Sequence, residues 1–405
     1  MVSGRAGKSC VGLTLVLIAA LSGAARAADG NAPSALLNAA IDHFYNLQFD
    51  EAQKEIEACL AAQPGDLRAL NLLASDILQR EMMRRELLEV QSYARRGEAY
   101  RDGKPDVDPQ TRKQLYEVLG RTEKIASEHL QVNPGDTDAL YWLGASHVTR
   151  ALFLLTLEKA KMDALGEAKE ARKLHGRVLD LDPNYTDALL VVGMYDYIAG
   201  SLPWYTKIFA AIAGVHGNRE RGLEEMRQVT EKGRWTKTDA LSFLAVLYYR
   251  EKRYADAIGI LADLQRKYPR NFLLPQEIAR AYKAQNNWHA AAEAYDSILK
   301  NRENGGEGFG KIPAAKIYFQ AGEAFAQAGD KQTALERYEK AASIKEKNPY
   351  VYRSELAAAG LELERNNPAD AKRRYLRVAR DVPSTDEGRA AARSLQAMTS
   401  SPGAR

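Results

Sequence analysis

The sequence predicts an all-α protein built as an array of helical hairpins, and three observations carry that prediction. A short phrase recurs: Pro64-Gly65-Asp66-Leu67-Arg68-Ala69-Leu70 returns as Pro134-Gly135-Asp136-Thr137-Asp138-Ala139-Leu140. Small residues and aromatics repeat with a period of about 34 residues, Ala257 and Ala291 standing one period apart. The chain is 45% hydrophobic and 27% charged, and its many Ala, Leu, Glu, Lys and Arg residues are strong helix formers.

The first segment lies outside that array. Arg5 and Lys8 precede an apolar run from Val11 to Leu21, and small residues lead to Ala25-Arg26-Ala27. This is the pattern of a secretory signal peptide spanning residues 1–27, with cleavage expected after Ala27. The run falls short of the ~20 apolar residues a spanning helix needs, and no later segment reaches that length. An uncleaved signal anchor is the rival reading. The expectation is export, to the periplasm of a Gram-negative-type bacterium or to a position peripheral to its outer membrane, with no transmembrane span after cleavage.

Arg5, Lys8 and Arg26 are the charged residues of 1–27, so cleavage lowers the formal net charge from +4 to +1. A chain so nearly neutral has no global field to draw in nucleic acid, and its charges read as solvated helix faces. Cys59 is the one cysteine outside residues 1–27, which leaves packing rather than an internal disulfide to hold the fold. It sits at a position of the repeat filled by small residues and reads as a buried thiol.

The repeat starts recur at Thr186-Asp187-Ala188-Leu189 and Thr238-Asp239-Ala240-Leu241, with Gly144, Gly193 and Ala245 four positions after their Leu. The clearest copy runs from Thr238 to Pro269, with Leu241, Leu244, Ala245 and Tyr248 on a first helix and Tyr254, Ala257, Leu261 and Leu264 on a second. Ala257, Leu261 and Leu264 share one helix face, and the two alanines let the helices approach closely. Ala279 to Ile298, Tyr318 to Ala341, Ala358 to Pro383 and Ala39 to Pro64 follow the same grammar. This pattern resembles the tetratricopeptide repeat, which implies a right-handed superhelical solenoid that works by binding other molecules in its concave groove.

The central units, residues 66–233, depart from the pattern. Asp66 begins an expected helix of about 35 residues, with a turn at Gly103-Lys104-Pro105 and a partner helix from Pro109 to Val132. The helix starting at Thr137 is expected to run through about Ala164. Between Gly200 and Gly217 lies an apolar insertion. Residues 28–300 thus form one array, 301–311 a flexible loop or enlarged turn, 312–398 the last units with a capping helix from Asp386 to Met398, and 399–405 a disordered tail.

Residues 193–223 carry a second likeness. Gly200, Leu202, Pro203, Gly217, Arg219, Gly222 and Leu223 match a segment that is similar to one in a eukaryotic tetratricopeptide-repeat family including mitochondrial outer membrane proteins, and in exported bacterial repeat proteins. Pro203 suits the first turn of a helix, and Trp204, Ile208, Phe209 and Ile212 fall on one side of it. Either this helix plugs a gap between repeats, or it forms an apolar lip with Tyr195, Tyr197 and Trp204 as anchors.

No chemistry-bearing constellation appears. The six histidines are dispersed, and there is no phosphate loop, nucleophile elbow or metal spacing, so no cofactor, metal or catalytic residue is expected. Candidate partner-binding residues are Tyr195, Tyr197, Leu202, Pro203, Trp204, Lys207 and Phe209 around the insertion. Tyr141, Tyr249, Arg250, Arg280, Lys283 and Phe319 join them on the first helices, with Glu277, Gln320 and Glu323 beside them. The expected function is a non-catalytic adaptor for proteins or peptides. A binder of envelope lipid or polysaccharide through residues 200–217 and an enzyme with an unfamiliar helical site stand as alternatives.

Overall fold

Asp66 stops one helix and starts the next. Its carboxylate accepts from the backbone N–H groups of Arg68 and Ala69 at 2.8 and 3.2 Å, and Asp136 does the same for Ala139 at 2.9 Å. Aspartate at an N-cap satisfies donors the helix leaves orphaned, and the preceding Pro-Gly ends the helix before it. Asp108 with Pro109, Asn218, Asn287, Asp330 and Asn348 with Pro349 set further starts in the same way.

The computed structural model describes residues 32–89, 107–202, 216–345 and 348–400. They form seventeen α-helices and no strand, in two compact units that divide between Tyr268 and Pro269. The first unit contains α1 (Ala32–Tyr45), α2 (Phe49–Ala62), α3 (Leu67–Arg84), α4 (Pro109–Val132), α5 (Thr137–Phe153), α6 (Lys161–Leu181), α7 (Ala188–Gly200), α8 (Arg219–Lys232), α9 (Lys237–Arg250) and α10 (Tyr254–Lys267). The second contains α11 (Leu273–Ala284), α12 (Trp288–Glu303), α13 (Ala314–Gln327), α14 (Lys331–Ala342), α15 (Pro349–Glu364), α16 (Pro368–Asp381) and α17 (Asp386–Ser400). Consecutive helices pack as hairpins, giving the all-α helical-hairpin solenoid that the sequence predicts.

Each hairpin buries its core through a small residue on the second helix. Ala52, Ala171, Ala257, Ala291, Ala334 and Ala371 have no exposed surface, and Cys59 is equally enclosed. On the first helices, Gly144 lies against the ring of His175 and Gly322 against that of Tyr338. A methyl at either glycine would overlap the ring, so the aromatic occupies space that a larger residue would take.

The turns inside hairpins share one geometry. Leu47, Glu86, Lys252, Asn286, Gly329 and Asn366 adopt the left-handed conformation, each two residues after its first helix ends. In each case the following N–H reaches back to a carbonyl five residues earlier: Gln48 to His43, Leu87 to Met82, Arg253 to Tyr248, Asn287 to Tyr282, Asp330 to Phe325 and Asn367 to Glu362, all at 2.8–3.0 Å. This closure caps the last free carbonyls of the first helix.

That geometry corrects two sequence expectations. The helix starting at Asp66 ends at Arg84, not some 35 residues on, because Glu86 turns left-handed there; Gly103-Lys104-Pro105 lies outside the described residues. The helix from Thr137 does not run to Ala164. It ends at Phe153, widens into a π turn over Leu154–Glu158, and stops at Lys159 with φ +60°. Residues Ala151 to Leu157 are all buried, because Leu87 and the first half of α4, with Leu115, Tyr116 and Leu119, pack over them. Five consecutive apolar positions, Ala151 to Leu155, read as part of a long helix, whereas the chain hides them by widening into a buried turn.

After α12 the chain bends later than expected, since helix continues to Glu303. Gly305 and Gly308 take φ +70° and +84°, and Phe309 and Ile312 are buried. The capping helix runs on to Ser400, two residues past the expected Met398.

Gly329 and Gly360 separate backbone strain from packing, because a Cβ at either would meet nothing within 4 Å. Gly329 has φ +93°, whereas Gly360 is inside α15. Gly329→Ala is expected to lower stability by about 1 kcal/mol and Gly360→Ala to raise it by about 0.5–1 kcal/mol, measured by urea unfolding. Shifts of the same sign in the two variants contradict the assignment.

Candidate functional site

The second likeness in the sequence falls on the hairpin of α7 and α8, and the structure shows what its glycines do. A Cβ at Gly193 would stand 2.8 Å from the carbonyl oxygen of Gly222 and 2.9 Å from Glu225 Cβ. One at Gly222 would reach Tyr197 N at 2.6 Å, one at Gly217 would reach Ala199 Cβ at 2.7 Å, and one at Gly200 would strike the backbone of Asn218 at 2.9 Å. The two helices therefore touch backbone to backbone, as four glycines permit.

Charge clamps the same hairpin. Asp196 has no exposed surface and receives Arg172 from α6 at 3.1 Å and Arg221 from α8. A buried carboxylate persists only with such partners. Burial, followed by the charge of Asp196, raises the pKa of neighbouring Glu225. On the other side, Tyr197 donates to Glu251 at 3.0 Å, and Arg219 reaches the same carboxylate at 2.5 Å.

The sequence-predicted residues separate clearly. Tyr195 is half-buried, with the Arg172 guanidinium 5.2 Å over its ring, and Leu202 is half-buried. Tyr197 is only 3% exposed, so its ring packs inside the hairpin instead of anchoring a partner. Pro203, Trp204, Lys207 and Phe209 lie outside the described residues, as do residues 1–31.

Tyr141 is the clearest correction. Its expected place on an open groove is occupied by protein: its exposure is 0%, and its ring lies 4.8 Å from Trp142, 5.0 Å from His175 and 4.9 Å from Tyr185. Arg280, 7% exposed, is likewise enclosed and paired with Glu277. Tyr249 remains half-buried, 5.3 Å from Tyr254, and Arg250 is exposed.

In the second unit the first helices bring predicted residues together. Lys283 on α11 meets Glu323 on α13 at 3.0 Å, both about one third exposed. Phe319 is half-buried, 5.9 Å from Tyr338 and 5.7 Å from Tyr350 on α15. Arg353 lies 5.2 Å over Tyr350 and bonds Glu387 at 2.9 Å. Tyr350 and Arg353 were not among the sequence candidates. The signal was present in Asn348-Pro349, which fixes the helix start and puts them three residues apart on one face.

Among the described residues no group of His, Cys, Asp and Glu could hold a metal ion, and no helix is long and apolar enough to cross a membrane. His175 is fully buried, bonds Ala171 O through Nδ1 at 2.8 Å, and burial pushes its pKa down to about 4.

Residues 212–272 and 277–349 match the tetratricopeptide repeat family. No curated protein matches the chain. Among solved structures, the human IFIT1 dimer with m7Gppp-AAAA is 15% identical, with 92% of this chain and 82% of that chain covered and a TM-score of 0.39. The pilF protein of Pseudomonas aeruginosa is 17% identical, covering 65% and 97%, with a TM-score of 0.37. Yeast Tom70 is 13% identical, covering 91% and 88%, with a TM-score of 0.35.

Two outcomes follow. Gly222→Ala forces α7 and α8 apart and is expected to cost about 2–3 kcal/mol in urea unfolding, whereas Gly176→Ala on α6, with nothing within 4 Å, is expected to raise stability by about 0.5–1 kcal/mol. Equal effects contradict the seam.

His175 is neutral when folded and gains a proton more easily when unfolded, so its contribution to stability is complete above about pH 6.5 and declines as pH falls toward about 4. Burial pushes Asp76 up to about 7, a shift of opposite sign, so the comparison must be with a variant. Between pH 7 and 4.5, wild type is expected to lose about 2 kcal/mol more than His175→Phe. Parallel pH profiles would exclude a buried neutral imidazole.

Proposed function

We propose that this tetratricopeptide-repeat chain is an exported, non-catalytic adaptor that seats a polypeptide partner on the first-helix face of its second unit. The observation that carries the reading is the grouping of Phe319 and Tyr350, two half-buried rings, between the Lys283–Glu323 pair and Arg353. The repeat match over residues 277–349 includes Lys283, Phe319 and Glu323.

The physical case rests on what each group gives up when covered. Half-exposed rings lose water without having to reorganise, since neighbours already fix their orientation. The Lys283–Glu323 pair is exposed enough to be weak, so a partner's carboxylate or ammonium can replace one member with little loss. A polypeptide with apolar side chains flanked by charges of both signs suits that surface. Nucleic acid, which needs a predominantly basic face, does not.

Export rests on Arg5, Lys8, the apolar run to Leu21 and Ala25-Arg26-Ala27. Its destination in this reading is the periplasm.

A photo-cross-linking phenylalanine analogue placed at Phe319 in native envelopes, with a control at exposed Glu336 on α14, tests the proposal. Discrete polypeptide adducts at position 319 and none at 336, on a mature chain beginning at Ala28, are expected. Equal labelling at both positions, or adducts of lipid or glycan alone at 319, contradicts a polypeptide seat.

A further inference from the structure

Around Tyr248 the first unit gathers hydrogen-bond donors from α8, α9 and the start of α10. Tyr248 itself, near the end of α9, is 7% exposed, so packing fixes its ring and hydroxyl. Arg227 on α8 donates from Nε to the Tyr248 hydroxyl at 3.2 Å. Arg253, which caps the start of α10, lays its guanidinium 4.1 Å over the same ring. One phenol thus holds two cations, one at its oxygen and one on its face.

Both arginine side chains are 41% exposed, and each is paired with an acid three residues away, Arg253 with Asp256 at 2.8 Å and Arg227 with Glu224 at 3.5 Å. Exposed pairs of this kind contribute little and give way to a better acceptor. The hydrogen bond to Asp256 raises the pKa of Arg253, while the charge of Arg227 pulls against it, as two cations held close together must do. The turn between α9 and α10 adds Arg250 and Lys252, both exposed. Its carboxylate, Glu251, does not offset them, because Tyr197 and Arg219 already bond it.

We propose that Arg227, Tyr248 and Arg253 form a binding site for a phosphate group, carried on a lipid headgroup or free in solution. One guanidinium fork saturates the two oxygens of a carboxylate, so two forks arriving from different helices call for an anion with at least three. A phenol that accepts from Arg227 keeps its own hydrogen to donate to that anion. Binding also removes the repulsion between the two guanidiniums, which their weak partners leave in place. The site lies in the first unit and shares no residue with the polypeptide seat at Phe319, and neither reading depends on the other.

Calorimetric titration of the full chain with inorganic phosphate, with acetate as the two-oxygen control, tests the free group. Flotation with vesicles of phosphatidylglycerol and phosphatidylcholine tests the lipid-borne one. Saturable phosphate binding without flotation assigns the group to solution, and flotation without phosphate binding assigns it to a headgroup. In either case Arg227→Gln and Arg253→Gln are expected to weaken binding by about tenfold or more. Arg253→Lys, which keeps the charge and loses the fork, is expected to weaken it as well. Arg266→Gln removes the same charge from exposed α10 about 20 Å along the helix, and is expected to change binding by less than about twofold. Neither phosphate binding nor flotation by the wild type overturns the site. Acetate bound as tightly as phosphate overturns it, and so does an equal loss in Arg266→Gln and the two site variants.

Discussion

The structure depends on how closely two helices of a hairpin can approach. A helix hides its apolar stripe only against another helix, and side-chain volume at the crossing sets the distance. In most hairpins an enclosed alanine on the second helix settles it, as at Ala52, Ala171, Ala257, Ala291, Ala334 and Ala371. At α7 and α8 glycines take that role on both helices, and the backbones meet. The larger residues then arrange themselves around these points. His175 fits over Gly144 and Tyr338 over Gly322, each aromatic filling space that a missing side chain leaves.

That dependence explains which features could be read from the sequence. Helix starts were legible because Asp66, Asp136 and Asn348 bring their own hydrogen-bond acceptor and are followed or preceded by Gly or Pro. Small core positions were legible because they recur. The turns were harder, since Asn286, Asn366 and Gly329 carry the usual left-handed preference but Leu47, Glu86 and Lys252 do not. At those three positions the packing of the hairpin imposes the conformation against local preference, and nothing local announces it. The end of α3 at Arg84 was missed for that reason. The π turn at Leu154–Glu158 was missed because an apolar run says only that it is buried, not by what.

Candidate site residues divide on similar lines. Counting from a repeat places a side chain on a face but does not say whether another hairpin covers it. Phe319 and Lys283 remain partly open in the second unit, where the neighbouring first helices contribute Tyr350 and Glu323 without closing over them. Tyr141 occupies the corresponding kind of position in the first unit, yet Trp142, His175 and Tyr185 enclose it. Asp196 shows the reverse case. Nothing in its local sequence marks it as charged and buried, because its partners Arg172 and Arg221 come from 24 and 25 residues away.

The proposed function rests on this contrast between a filled first unit and a partly open face on the second, and side-chain accessibility in solution measures the contrast directly. Hydroxyl-radical footprinting with mass spectrometry reads each aromatic in the native chain. Phe319, Tyr350 and Tyr195 are predicted to oxidise readily, while Tyr141 and Tyr197 stay protected until the chain unfolds. Oxidation of Tyr141 as fast as that of Phe319 would contradict the account, because the first unit would then hold an open groove where we find a packed interior.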